Sequence, residues 1–209
     1  MFCILPFETE FFRKLNYSVD YVGNPSVDSV AYYKEHQAIP KDTFIKEEGL
    51  ANKPILALLS GSRKQEIKDN LPTMLKVASA YPDYQPVIAG APGIDPAYYQ
   101  EYIGSYPAKI VFGKTYPLLQ HSAAALVTSG TATLETALFR VPQVVCYYVV
   151  AGQLASFIFK HFFHTKYISL VNLIGGREIV QELFGARFSE SQIQDELCLL
   201  YTSPSPRDA

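Results

Sequence analysis

Ser129-Gly130-Thr131-Ala132-Thr133-Leu134-Glu135 decides how this chain is read. The apolar run Ala123-Ala124-Ala125-Leu126-Val127 precedes it, and Thr136-Ala137-Leu138-Phe139 follows. That order predicts a buried strand, a tight turn of small residues, then the first turns of a helix. At such a junction several backbone N–H groups lack partners, and the helix dipole adds partial positive charge. An anion such as phosphate fits there. Gly130 lets it approach the backbone, and the hydroxyls of Ser129, Thr131 and Thr133 offer further donors. Glu135 falls about one turn into the helix, where a carboxylate can accept bonds from ribose hydroxyls. The same residues also read as an ordinary capped helix start, with Glu135 as a capping-box partner.

Outward from this stretch the same pattern repeats. Ile55-Leu56-Ala57-Leu58-Leu59 is apolar throughout, as a strand covered on both faces is, and it runs into Ser60-Gly61-Ser62-Arg63. Ser62 reads as the N-cap of a helix reaching about Tyr81, with Glu66 in its first turn or so. Pro86–Gly90, Lys109–Gly113 and Pro142–Val150 read as further strands, with helices over Pro96–Ile103 and Tyr116–His121 between them. Alternation at this spacing predicts an α/β fold, a Rossmann-like, mostly parallel sheet with helices on both faces. Ligands of such sheets bind at the carboxyl ends of the strands. The Gly61-Ser62-Arg63 turn and the Ser129–Glu135 stretch therefore face one cleft.

The flanks read differently. Phe2 to Leu5, the helix starting at Pro6-Phe7-Glu8, and Val19 to Val22 before Gly23-Asn24-Pro25 resemble the β-α-β tail of a preceding domain, so an upstream part is expected. The organisation that follows is 1–30 as that tail, 31–53 as a crossover with a helix over Lys41–Glu48, 54–197 as the nucleotide-binding domain, and 198–209 as a foreign tail. The Ser/Pro run in the tail resembles a translated sequencing adapter and is expected to break the last helix near Leu197. Gly175-Gly176-Arg177-Glu178 is expected to open a helix toward Leu183. Leu154–His164 is strongly aromatic and reads either as a core or interdomain helix or as a surface for a bilayer or acyl chain.

Bulk composition narrows the function. Hydrophobic residues make up 48% and charged residues 18%, so the chain has enough apolar surface for a core. A formal net charge of −2 gives no electrostatic case for nucleic acid as a partner. Three cysteines without paired spacing argue against a disulfide framework or a zinc site and fit a reducing, cytoplasmic compartment. Two long uncharged stretches, Thr115–Leu134 and Val141–Phe159, carry Pro, Gln and hydroxyls and read as core rather than spanning helices. The opening residues lack the basic leader of a signal peptide.

Arg63 is the leading polar candidate. An arginine directly after a small-residue turn at a strand end can clamp a diphosphate through a bidentate, charge-assisted fork. When a diphosphate leaves, the same guanidinium offsets its developing charge. The plain structural alternative is an exposed helix-start arginine paired with Glu66.

At this point the chain resembles a family. Leu58-Leu59-Ser60-Gly61-Ser62-Arg63-Lys64-Gln65-Glu66-Ile67 resembles L-L-P-G-S-R-x-x-E-[IV], with Ser60 in place of proline. Ser129–Glu135 matches S-G-T-A-[ST/A]-L-E. Pro142–Tyr147 resembles P-[QM]-V-V-x-Y, and Ile168–Glu178 resembles [VI]-S-L-P-N-L-[IL]-x-x-R-E with Val171 in place of proline. The family is lipid-A-disaccharide synthase, a GT-B glycosyltransferase, and the resemblance covers about Phe2 to Leu197. It implies inverting transfer of 2,3-diacylglucosamine from a UDP donor to 2,3-diacylglucosamine 1-phosphate (lipid X), with no metal and no cofactor. Arg63 would stabilise the leaving diphosphate; Gly61, Ser62, Ser129, Gly130, Thr131, Glu135 and Asn172 would bind the nucleotide. Asn172 also reads as a turn residue bonding its own backbone. The family's general base and acceptor contacts lie in its amino-terminal domain, so this piece is expected to bind nucleotide and hardly turn over. A peripheral site at the cytoplasmic face of the inner membrane and a homodimer are further implications. Competing readings are another GT-B enzyme, of the peptidoglycan N-acetylglucosaminyltransferase or UDP-N-acetylglucosamine 2-epimerase type, or a non-catalytic nucleotide-binding module. A receiver-like or flavodoxin-like domain would want an acidic cluster or a flavin loop, which the strand ends do not offer.

Overall fold

A computed structural model describes residues 1–128, 130–149 and 167–202. Two short strands open the chain, β1 (Phe2–Cys3) and β2 (Asp20–Tyr21), paired in parallel around α1 (Glu8–Lys14). They form a sheet of their own. Next come α2 (Pro25–His36) and α3 (Lys41–Glu47). The main sheet is built from β3 (Ile55–Leu59), β4 (Gln85–Gly90), β5 (Lys109–Phe112), β6 (Ser122–Val127), β7 (Gln143–Tyr147) and β8 (Gln181–Phe184). Its helices are α4 (Lys64–Ser79), α5 (Pro96–Ile103), α6 (Thr115–His121), α7 (Thr131–Leu138), α8 (Leu170–Gly175) and α9 (Glu190–Thr202).

All five pairings in the main sheet are parallel, in the order β5-β4-β3-β6-β7-β8. The α/β, parallel-sheet expectation is therefore met. Period-two geometry divides the strand residues between two cores. Leu56 and Leu58 of β3 join Ala124 and Leu126 of β6 against α4, α5 and α9. Ile55, Ala57 and Leu59 face the other way with Ala125 and Val127, against α2, α3 and α6. Each residue of β3 is buried whichever face it takes, and this is why its sequence is apolar without alternation.

The strand order has one reversal. From β3 the chain builds outward to β4 and β5; it then returns to β6 beside β3 and builds the other way. At such a switch point the loops leaving two adjacent strands part to opposite faces and open a crevice. Here those strands are β3 and β6, tied at the base of the crevice by the Thr128 N–H donating to the Leu59 carbonyl at 2.8 Å.

Several expectations are corrected. Residues 25–36 form a helix that was not expected where the 1–30 tail meets the 31–53 crossover; Asn24 caps it through a 2.9 Å bond from the Ser26 N–H, and Pro25 supplies its first residue. Val30 and Tyr33 are its two buried anchors. Gly175-Gly176 ends a helix rather than opening one, with Gly176 in the left-handed conformation at φ 63°. The residues toward Leu183 are strand β8, because pairing with β7 satisfies their backbone and buries Leu183 and Glu182. The last helix does not break near Leu197 but runs to Thr202. Both Ser129 and the aromatic run Leu154–His164 lie outside the described residues. Among the described residues no helix is long and apolar enough to cross a membrane.

Candidate functional site

The crevice is a cleft of about 520 Å³ at the carboxyl ends of β3, β4 and β6. Gly61, Ser62 and Arg63 form one wall; Gly130, Thr131 and Glu135 form the wall opposite. Six of the eight expected site residues thus meet in one place, drawn from two segments nearly seventy positions apart on the order of sequence.

The first wall is set by Gly61 and Glu66. Gly61 has φ +111°, a conformation side chains rarely adopt, and a Cβ there would lie 2.5 Å from the Glu66 Cβ. Ser62 was expected at the N-cap; the helix instead starts one residue later, with Arg63 at that position. An arginine has no acceptor to offer the orphan N–H groups. Glu66 does the capping, its Oε2 accepting from the Ser62 N–H at 2.9 Å and the Arg63 N–H at 3.3 Å. Its Oε1 takes only a long 3.5 Å contact from the Arg63 guanidinium, whose side chain is 82% exposed. So exposed an ion pair holds the arginine weakly, and its donors can turn to an anion in the cleft.

The second wall is the amino end of α7. Gly130 sits at φ 108°, ψ −155°, backbone that is essentially confined to glycine, and open space lies where its Cβ would be. As the first helical residues, Thr131 and Ala132 have N–H groups with no acceptor inside the helix. Thr131 is exposed toward solvent. Thr133, read as a donor to the ligand, is not one: it is fully buried, and its hydroxyl donates to the Gly130 carbonyl at 2.8 Å. Glu135 is half-buried, and its Oε1 accepts from the Tyr116 hydroxyl at 2.9 Å. Burial first, and then the Glu135 carboxylate, push the Tyr116 phenol up to about 12, so it stays a donor at neutral pH.

Asn172 stands apart. It is fully buried, and its amide is saturated: Nδ2 donates to the Val180 carbonyl and to Glu182 Oε1, each at 2.8 Å. Its Oδ1 accepts from the Ile179 and Val180 N–H groups at 2.7 and 3.0 Å. The structure gives Asn172 the turn-holding role, not a place on the cleft wall. Glu182 completes this knot, accepting from the Ile168 N–H, the Ser169 N–H and the Ser169 hydroxyl.

Sequence reasoning missed part of the cleft. Gly90-Ala91-Pro92 after β4, Thr115, Thr128 and Tyr147 also line it. Gly90 is needed because a Cβ would meet the Phe112 ring at 2.5 Å, and the Ala91 N–H is held by the Tyr99 hydroxyl at 2.9 Å. Their signal was position alone, each lying at or near a strand's carboxyl end. Thr128 is distinctive, since its hydroxyl is buried and has no hydrogen-bond partner among the described residues. Two helix amino ends and Arg63 thus share one cleft with two carboxylates, so groups that attract an anion stand beside groups that accept from hydroxyls.

Comparison with known proteins follows the same lines. The sequence model of the family described as Lipid-A-disaccharide synthetase matches residues 1–205. A lipid-A-disaccharide synthase of Myxococcus xanthus is 34% identical across the whole chain, which covers 54% of that protein. One of Solibacter usitatus is 32% identical, again over the whole chain and 54% of its own length. The chain thus spans about half the length of the curated relatives it matches. Among solved structures, a UDP-GlcNAc 2-epimerase from Methanocaldococcus jannaschii superposes with a TM-score of 0.63 at 11% identity, covering 98% of this chain and 55% of that one. The glycosyltransferase WaaG, involved in lipopolysaccharide biosynthesis, gives 0.53 at 14% identity, covering 99% and 54%. At such identities these two likenesses show the fold alone.

Proposed function

This chain belongs to the lipid-A-disaccharide synthetase family, and from that premise we propose that its cleft is the UDP-sugar donor site of a lipid-A-disaccharide synthase. The whole protein would transfer 2,3-diacylglucosamine from UDP to lipid X, with inversion and release of UDP. The observation that carries this reading is the convergence of Arg63, the Gly130 turn and Glu135 on one crevice at the switch point. Arg63 and the α7 amino end take the diphosphate; Glu135 takes ribose hydroxyls. As the glycosidic bond breaks, negative charge builds on the β-phosphate, and a guanidinium free to reach it stabilises that charge most in the transition state. Gly61 and Ser62 shape the turn that presents Arg63. Asn172 serves the site indirectly, by holding the 168–182 turn. The acceptor hydroxyl must lose a proton during inversion, and no group of this cleft is assigned to take it.

The acylated donor and acceptor also favour action at the cytoplasmic face of the inner membrane, and the family resemblance favours a homodimer; both belong to this proposal. A ligand at one hundred times its dissociation constant stabilises a folded chain by about 2.7 kcal/mol. For a chain of this size that is about 5–10 °C in Tm. UDP at saturating concentration is expected to raise Tm by such an amount, and a melting curve unmoved by UDP would overturn the reading. For the whole protein, formation of the disaccharide from the two lipid substrates is the matching assay.

A further inference from the structure

Tyr116 is not on the cleft wall, yet its hydroxyl reaches Glu135, one of the two carboxylates that are. It donates to Glu135 Oε1 at 2.9 Å. The ring cannot easily leave. It packs edge-on against Tyr33 with centroids 5.5 Å apart and tilts against Phe139 at 5.4 Å. Tyr33 is itself pinned, donating to Gln120 Oε1 at 2.6 Å. A glutamate side chain turns about three single bonds, and holding it in one orientation is entropically costly. Here that cost is met in the fold rather than at binding, because a packed phenol fixes Oε1 and leaves the rest of the carboxylate to the cleft. We propose that Tyr116 is a positioning residue for ribose recognition, fixing Glu135 so that the cleft prefers ribonucleotides over sugars without hydroxyls. The inference rests on the nucleotide-site reading above and adds to it a specificity device acting from outside the cleft. It also ties that device to α2, which carries Tyr33.

The experiment is calorimetric titration of UDP and of 2′,3′-dideoxyuridine diphosphate into the chain, its Tyr116→Phe variant and its Glu135→Gln variant. The parent is expected to favour UDP by about tenfold, which corresponds to two hydrogen bonds read in a partly solvated site. Tyr116→Phe keeps the ring and its packing, so its Tm stays close to the parent's. It is expected to weaken UDP about three- to fivefold while leaving the dideoxy nucleotide within about twofold. Glu135→Gln, with Tyr116 intact, should lose the same preference, and adding Tyr116→Phe to it should change nothing more. Equal weakening of both nucleotides by Tyr116→Phe, or full additivity in the double variant, would overturn the inference. A parent that binds UDP without preferring it over the dideoxy form would overturn the inference and the Glu135 assignment, and would leave the diphosphate site standing. A folded parent that binds neither would overturn the donor-site reading as well.

Discussion

Replacing Gly61 with alanine tests the wall of the cleft most sharply. At φ +111° a side chain strains the backbone by about 1–3 kcal/mol. The new Cβ would also fall 2.5 Å from the Glu66 Cβ and 2.6 Å from its Oε2. The first of these atoms is rooted in α4 and cannot swing away, so Glu66 must be displaced with the helix end. That removes the carboxylate capping the Ser62 and Arg63 N–H groups, a loss of about 1 kcal/mol. Together the two effects predict a destabilisation of about 2–4 kcal/mol, or roughly 5–12 °C in Tm for a chain of this length. Thermal unfolding followed by circular dichroism measures it. Gly93→Ala is the control, because a Cβ at Gly93 has open space around it and its backbone needs no positive φ. A Gly61→Ala variant melting within about 2 °C of the parent would refute the account of Gly61 and Glu66.

Thr128→Val removes a buried, unpartnered hydroxyl at constant shape and should raise stability by about 1 kcal/mol, read as a higher urea midpoint at unchanged slope. Glu182→Ala leaves the Ser169, Ile168 and Asn172 donors without their acceptor and should cost about 2–4 kcal/mol by the same measurement. Burial holds the Cys146 thiol well above its usual range, so it should resist alkylation at pH 8 until the chain unfolds, whereas exposed Cys198 reacts at once; mass spectrometry of labelled peptides separates them. Burial and Glu135 raise the folded-state value of Tyr116 to about 12, above the unfolded phenol near 10. Ionising the phenol is therefore disfavoured in the fold, so the parent's stability is unaffected by this group below pH 10 and falls as pH rises from 10 toward 12. Tyr116→Phe should reduce the slope of stability against pH in that window by up to about one proton.

Much of the fold was legible because its strands are buried on both faces. Such strands read as uninterrupted apolar runs, and β3 and β6 each run into small residues that a turn explains. The cleft was legible for the same reason, since turns at strand ends fall at the carboxyl edge of a parallel sheet. What escaped depends on contacts distant in sequence. Residues 181–184 follow two glycines and a charged pair, and nothing local marks them as a strand; β7 makes them one. Helix α2 was hidden by its serines and aspartate, and only Val30 and Tyr33 commit it to the core. Thr133 and Asn172 show the limit at single side chains. Both types can serve a ligand or their own backbone, and local pattern does not say which; the Gly130 carbonyl claims one, and the 179–182 backbone with Glu182 claims the other.

The central claim is that this cleft holds a uridine diphosphate through Arg63, and calorimetric titration of UDP into the chain and its Arg63→Ala variant tests it directly. Since the Arg63 side chain is 82% exposed, its removal should leave Tm unchanged. The account predicts binding by the parent and a loss of about tenfold or more in the variant, the scale of one charge-assisted bidentate contact. Equal affinity in the two proteins would contradict it.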